Sequence, residues 1–416
     1  MVINLVGNVL PSSNIKKNLL YLILVQLANY IAPLVILPYL ARVIGIDGVG
    51  IVAICLSICA IALIVTDFGF AISSTYWISI NRGKKNKIAT YIGAVLIIKI
   101  ILLLSFIAIL SLYPIDEMIK VQNILYPLIA AIVFQTFQIP WFFQGIERMQ
   151  NITYCTVATK LSYLILVILY VKNENNIPLV ITFFAISNFI YSLMGFILYY
   201  KQGYTISIPS IRKLYTVFKN NIPFFFSRAA VGIYTSASTL IVGSYAGSYQ
   251  AALYSSSEKL YQGAVSLTSP ISQVLYPHLA KTKDRKILIK MLYTLLPIGF
   301  ILSGLCIYFS DNIIIIIYGK DFLEASRILK VFIFISILSF ISINLGYPLY
   351  STINRLDIVN KSVVIGGFLQ LLFVLLLYIT HNITAYNISL SILVTEIVIL
   401  QLRLIPFYFI IRKNHK

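Results

Sequence analysis

Acidic side chains are scarce in this chain: 13 Asp and Glu stand against 32 Lys and Arg in 416 residues, and charged residues make up 11% of the total. A soluble domain carries about 25% charged residues, so an ordinary water-exposed surface is excluded. Cysteine is equally sparse. Cys55, Cys59, Cys155 and Cys306 lie within or at the edges of apolar runs, without CxxC spacing. That excludes a disulfide framework and a cysteine metal site. The chain also lacks a GxxxxGK[ST] phosphate loop, an HExxH pair and a GxSxG elbow, so ATP hydrolysis and the common hydrolase chemistries have no residues to run on. No metal and no cofactor is expected. The net charge of +19 does not point to nucleic acid, because the basic residues are spread over short connections rather than gathered on one patch.

What is abundant is apolar length. The chain is 59% hydrophobic, with a mean hydropathy of +0.91. About 20 apolar residues cross some 30 Å of hydrocarbon as a helix, and twelve runs qualify. The predicted spans are 18–41, 49–78, 88–112, 121–143, 152–171, 178–200, 221–245, 250–280, 291–318, 329–352, 361–380 and 384–411. The first is too long for a signal-peptide core and no small-residue cleavage site follows it, so it is expected as an uncleaved span. No connection is long enough for a catalytic domain, which takes about 50 residues or more.

The connections alternate in charge. Twenty-one of the 32 Lys and Arg fall at one set of span ends, six at the opposite set and five inside spans. Positive residues concentrate on the cytoplasmic side. Both termini are therefore expected in the cytoplasm, which an even number of spans satisfies. Trp77, Trp141 and many of the 29 tyrosines fall near span ends, as interfacial anchors do.

The two halves match weakly. Lys17-Asn18 before span one and Gly45 after it fall on Lys219-Asn220 and Gly247 at one offset. After span four the chain reads Gln144-Gly-Ile-Glu-Arg-Met149, and after span ten Ser351-Thr-Ile-Asn-Arg-Leu356. Six spans return the chain to the same side, so the halves would form a parallel repeat. The expected division is a six-helix lobe over 1–207 and a second over 208–416, parted in the basic stretch 201–219.

The segments Pro38-Tyr-Leu-Ala-Arg-Val-Ile-Gly45, Asp67-Phe-Gly69 and Phe143-Gln-Gly-Ile-Glu-Arg-Met149 resemble those of Wzx-type polysaccharide repeat-unit flippases. These belong to the multidrug/oligosaccharidyl-lipid/polysaccharide exporter superfamily. The resemblance covers the whole chain and implies an all-α polytopic membrane protein of twelve helices in two lobes, V-shaped around a cationic central cavity. It implies that an undecaprenyl-diphosphate-linked O-antigen unit is flipped to the periplasmic leaflet of the bacterial inner membrane, driven by an ion gradient, with protons the expected ion. An O-antigen polymerase and a chain-length regulator would be protein partners. Three alternatives stay open: a multidrug antiporter of the same superfamily, a lipid II flippase, and a polymerase or glycosyltransferase using Asp116-Glu117. A cationic cavity argues against a drug antiporter, since those exporters mostly take cations.

Ionisable residues inside spans are expensive and mark a cavity or a partner. On span eight Ser255, Lys259, Gln262, Ser266, Ser269 and Gln273 recur at spacings of three and four, which draws one polar stripe along the helix. Glu258 lies beside it, either neutralising Lys259 or titrating during transport. Span seven places Arg228, Gly232, Thr235 and Thr239 at helical spacing, and the guanidinium fork suits phosphate oxygens. Arg228, Lys259, Lys160 and Lys99 are the candidate substrate cations. Gln262, Gln26, Asn29 and Gln138 are candidate amides for sugar hydroxyls. Asp67, Glu258 and Glu396 are candidate ion-coupling acids. Each has a structural alternative: Asp67 and Lys99 sit at similar depths on spans two and three and would pair, and Glu396 and Arg403 share a face of span twelve. Arg42 and Arg403 are candidate gate residues, with headgroup anchoring the alternative for Arg42. Pro33, Pro38, Pro140, Pro223, Pro270, Pro277 and Pro348 offer kinks.

Overall fold

In hydrocarbon each backbone N–H and C=O needs a partner within the chain, so long apolar runs fold as helices. The computed structural model describes residues 13–112, 123–235, 237–353 and 355–414, and among these every α- or 3₁₀-element is helical, with no strand. Asp116-Glu117 lies outside them. The first part of the chain forms α1 (Ser13–Val43), α2 (Gly45–Asp67), α3 (Phe70–Ile80), α4 (Lys85–Ser111), α5 (Leu125–Thr136), α6 (Pro140–Gly145), α7 (Met149–Tyr170) and α8 (Ile177–Lys201). Then come α9 (Ile211–Thr235), α10 (Ala237–Thr282), α11 (Arg285–Tyr308), α12 (Ser310–Tyr318), α13 (Ala325–Asn344), α14 (Tyr347–Ser351), α15 (Leu356–Ile379) and α16 (Ala385–Asn414).

Several predicted spans are broken rather than continuous. Span two divides into α2 and α3 at Phe68-Gly69, both in the left-handed region at φ 47° and 81°. Asp67 closes the break by accepting from Ala71 N at 3.1 Å. Span four divides into α5 and α6 because Pro140 brings no N–H and crowds the preceding turn. Span ten divides into α13 and α14 just before Pro348. By length and apolarity ten helices or helix pairs among the described residues can cross a membrane, not the predicted twelve. The two missing from that count are 221–245 and 250–280. They fall on α9 and α10, where Arg228 and the run Ser255-Ser-Ser-Glu-Lys259 dilute the apolar character.

The chain divides into two packed units, one ending at Gly232 and the other beginning at Ile233. This lies beyond the expected boundary at 207/208, and the reason is how α9 packs. The Phe68 ring stacks on Phe218 and Phe225 at 4.9 and 4.8 Å, Ser73 hydrogen-bonds Asn221, and Gly232 lies against Ile64. The N-terminal unit packs α8 on α5 and α7, α7 on α1, and α3 on α6. Its aromatic core joins Trp141, Phe142, Phe143, Tyr199 and Tyr204. In the C-terminal unit α13 packs on α10 and α16, and α16 on α15. Lipid tails are as apolar as these cores, so close packing and buried hydrogen bonds hold the helices together.

Some of the matched positions share a backbone conformation. Gly45, at the start of α2, and Gly247, at a kink within α10, both have positive φ. Met149 and Leu356 both begin the helix after the broken one, and the preceding Arg148 and Arg355 have nearly the same φ and ψ, −106°, 60° and −118°, 50°.

Candidate functional site

Two clusters of buried polar groups stand out, one in each unit. In the N-terminal unit Lys99 of α4 is buried, at 1% exposure. Its Nζ donates to Thr136 O at 3.0 Å and stands 3.6 Å from Asp67 Oδ1. Thr136 is the last residue of α5, so the ammonium caps a carbonyl freed by the helix break. Thr136 Oγ1 also donates to Thr66 Oγ1 at 3.2 Å. Past the break Gln138 Nε2 donates to Asn188 Oδ1 at 2.6 Å, and Ser192 Oγ donates to Phe134 O at 2.5 Å. Lys99 thereby joins the break in α2–α3 to the break in α5–α6.

In the C-terminal unit α10 carries a chain of hydrogen bonds. Lys259 Nζ donates to Gln262 Oε1 at 3.0 Å, Gln262 Nε2 donates to Glu258 Oε1 at 3.1 Å, and Thr239 Oγ1 donates to Glu258 Oε2 at 3.2 Å. Gln262 is the bridge between acid and amine. A second cation lies deeper in the same unit. Arg403 Nη1 donates to Ser342 O and Oγ at 2.6 and 2.9 Å, and its Nε to Ser362 Oγ at 2.9 Å. Ser342 is in the last turn of α13, next to the break before α14, so Arg403 treats the second broken helix as Lys99 treats the first. Glu396 is buried two turns before Arg403 on the same face of α16.

The remaining candidates are placed as follows. Arg228 is exposed on α9, and Lys160 is partly buried on α7. On α1 Gln26 is exposed and Asn29 partly buried, while Arg42 is exposed and donates to Pro38 O at 3.3 Å. Along the predicted stripe of α10, Ser255 and Ser266 bond back to Ala252 O and Gly263 O. The side chains of Ser269, Gln273 and Thr235 lie outside the described residues. The sequence reading missed Thr136, Asn188, Ser342 and Ser362, and also the buried seam in which Gln370 bonds Ser391 and Thr395, each at 2.9 Å. The signal that could have found Thr136 and Ser342 is the proline a few residues on, which frees the carbonyls before it.

At the basic end of the N-terminal unit the motif 143–149 is held by Arg82. Its Nε donates to Gly145 O at 2.8 Å and Nη2 pairs with Glu147 at 2.8 Å. The hydrogen bond from Arg82 holds the Glu147 carboxyl below the usual carboxylate range.

Residues 15–283 match the model of a family described as "Polysaccharide biosynthesis protein". The chain belongs to the polysaccharide biosynthesis protein family. Two relatives of this family member share the name "Putative O-antigen transporter". One, from Shigella dysenteriae, is 27% identical over 92% of this chain and 98% of its own length. The other, from Escherichia coli strain K12, is 23% identical over 94% and 96%. The fold is shared with the lipid II flippase MurJ in its inward closed conformation, at a TM-score of 0.70, 16% identity, and coverage of 94% of this chain and 87% of that one. The family member is thus a multi-pass membrane protein, helical without strands among its described residues, that shares the fold of that structure.

Proposed function

We propose that the protein flips diphosphate-linked oligosaccharide lipids of the O-antigen repeat-unit class from the cytoplasmic to the periplasmic leaflet of the bacterial inner membrane, by alternating access of its two halves. The observation that carries this reading is Arg228. It lies about two turns into the expected span 221–245 and is exposed. A guanidinium at that depth is expensive unless it faces water or an anion, and its planar fork matches phosphate oxygens. Lys160 and Lys259 add positive charge for the diphosphate, and Gln26, Asn29 and Gln138 offer amides to the sugars. The names of the two relatives support the substrate class.

The energetics agree. Away from their ends the expected spans hold five cations and four acids, Asp67, Glu258, Asp311 and Glu396, a small positive excess that favours an anionic passenger over a cationic drug. Moving two negative charges outward through an inside-negative membrane gains about 4.6 kcal/mol per 100 mV. Return of the empty carrier is assigned to proton entry on Asp67 or Glu258, with Glu396 a third acid, shifting the equilibrium between inward- and outward-open states. The protein acts as a carrier and not a catalyst. Both termini are cytoplasmic, a reading supported by the 21 cations at one set of span ends. An O-antigen polymerase and a chain-length regulator are the partners that the flipped unit would meet.

The test is leaflet exchange of a fluorescent undecaprenyl-diphosphate oligosaccharide in liposomes containing the purified protein, with and without a pH gradient. Arg228→Ala is expected to abolish exchange in folded protein, and Arg228→Lys to retain part of it. Normal exchange by Arg228→Ala rejects the site. No exchange by the wild type with several glycans rejects the substrate class and favours drug export or polymerisation.

A further inference from the structure

The connection between α8 and α9 stays on the N-terminal unit. Tyr199 Oη donates to Thr205 O at 2.7 Å, Ser207 N to Ala89 O at 3.2 Å, and Lys85 Nζ to Gln202 O at 3.4 Å. A methyl group at Gly93 would collide with the Ser207 carbonyl, so the missing side chain is what lets this backbone lie on α4. Gly93 is eight residues past Lys85, which puts Ser207 about 12 Å along α4 from its basic start. The connection therefore lies along the side of a membrane helix, at the depth of the interface rather than beyond it.

Its outward side is apolar. Ile208 is 91% exposed, Ile211 88% and Tyr215 62%, and the last two are one turn apart on α9. Its surroundings are basic: residues 81–88, 145–149 and 201–219 hold nine Lys or Arg and one acid, Glu147, which Arg82 already holds. Desolvation and the nearby Lys87 charge hold Lys213 below the usual lysine range. Large apolar side chains and crowded cations are both unfavourable in open water. Both are satisfied where acyl chains meet anionic headgroups.

We propose that residues 204–215 form an in-plane membrane segment that binds anionic phospholipid, with Ile208, Ile211 and Tyr215 in the acyl boundary and Lys87, Arg212 and Lys213 on the headgroups. The basic charge selects the lipid and the isoleucines set the depth. An acidic protein surface would match the charge but leave the isoleucines without a partner.

The full chain carrying Cys306→Ser, which removes the exposed native thiol, and Ile208→Cys is labelled with an environment-sensitive dye in phosphatidylethanolamine/phosphatidylglycerol vesicles. Quenching by lipids spin-labelled near the headgroup, with little quenching by aqueous iodide, is expected. Quenching by iodide alone overturns the proposal. In a second arm, phosphatidylglycerol retained on purified protein is measured by mass spectrometry. Arg212→Glu/Lys213→Glu is expected to lower retention by about fivefold or more, while Lys286→Glu/Lys290→Glu, the same charge change in the first turns of α11, leaves it near wild type. Equal loss in both variants, or no preference for anionic lipid in the wild type, overturns the assignment.

Discussion

Lys99 and Thr136 meet at the end of a broken helix: the buried ammonium donates to the carbonyl on which α5 stops, 3.0 Å away, while Asp67 balances its charge from 3.6 Å. Pro140 makes the break in α5–α6, Asp67 caps the one in α2–α3, and one side chain on α4 ties both at the same level. Removing one partner of a buried pair costs about 3–5 kcal/mol, because the other charge is left uncompensated. Lys99→Met is therefore expected to destabilise the protein by that order. The double variant Lys99→Met/Asp67→Asn is expected to be less destabilised than the sum of its singles. Thermal unfolding of the four proteins in one detergent checks the cycle, and strict additivity rejects the coupling.

Gly69 has φ 81° and faces the Phe224 Cβ, 2.5 Å from where a methyl group would sit. Gly69→Ala therefore adds left-handed strain of about 1–2 kcal/mol to an overpacking cost of about 1–3 kcal/mol. Gly299 faces open space within a helix, and Gly299→Ala is expected to be neutral or slightly stabilising. Comparing the unfolding temperatures of the two variants measures how tightly α9 is seated on the N-terminal unit.

The helix layout was legible in the sequence because hydropathy and loop charge act over whole segments. The Asp67–Lys99 pair was legible from equal depth on adjacent spans. The other half of that site was not, since Lys99 caps a backbone carbonyl and carbonyls leave no mark in a sequence. The break at Phe68-Gly69 was hidden for a related reason: it needs two left-handed residues whose cause, stacking of Phe68 on Phe218 and Phe225, lies 150 positions or more away. On α10 helical periodicity put Lys259 and Gln262 on one face, but which amide atom met which charge depended on rotamers.

Arg82 holds the Glu147 carboxyl below its ordinary range, which fixes the sign of a pH effect. A depressed carboxylate stabilises the fold above its unfolded pKa, about 4.3, and that contribution is lost as pH falls through the lower folded value. Glu147→Gln is expected to unfold at a lower temperature than wild type at pH 7, by a small margin because the pair is exposed. The difference should narrow progressively as pH falls below about 4.3. A gap between the two proteins that does not narrow between pH 7 and pH 3 assigns the effect to something other than this pair.

The chain Lys259–Gln262–Glu258–Thr239 gives the proposed coupling a specific test. Glu258→Gln keeps the shape and can still accept from Thr239 but cannot bind or release a proton. Under the proposed mechanism it exchanges labelled lipid at the same rate with and without a pH gradient. Gln262→Ala removes the bridge and leaves Glu258 able to titrate, so its exchange still responds to the gradient, shifted in pH. A Glu258→Gln protein that responds as wild type does moves the coupling to Asp67 or Glu396.

Arg403 is the C-terminal counterpart of Lys99, but it works through geometry as well as charge. Its Nη1 reaches both the carbonyl and the hydroxyl of Ser342 while Nε reaches Ser362, so one planar group spans the end of α13 and the start of α15. Lysine carries the same charge on a single ammonium and cannot reproduce the fork. Arg403→Lys is therefore expected to recover part, and not all, of the stability lost in Arg403→Met, itself a loss of about 3–5 kcal/mol. Glu396 adds a sign. It lies buried two turns away on the same face of α16, so Arg403→Met leaves a buried acid without the nearest cation on its helix. Adding Glu396→Gln to Arg403→Met should then restore stability, whereas Glu396→Gln alone should change little. If the double variant is as unstable as Arg403→Met, the Arg403 contribution lies in its serine hydrogen bonds and not in charge balance.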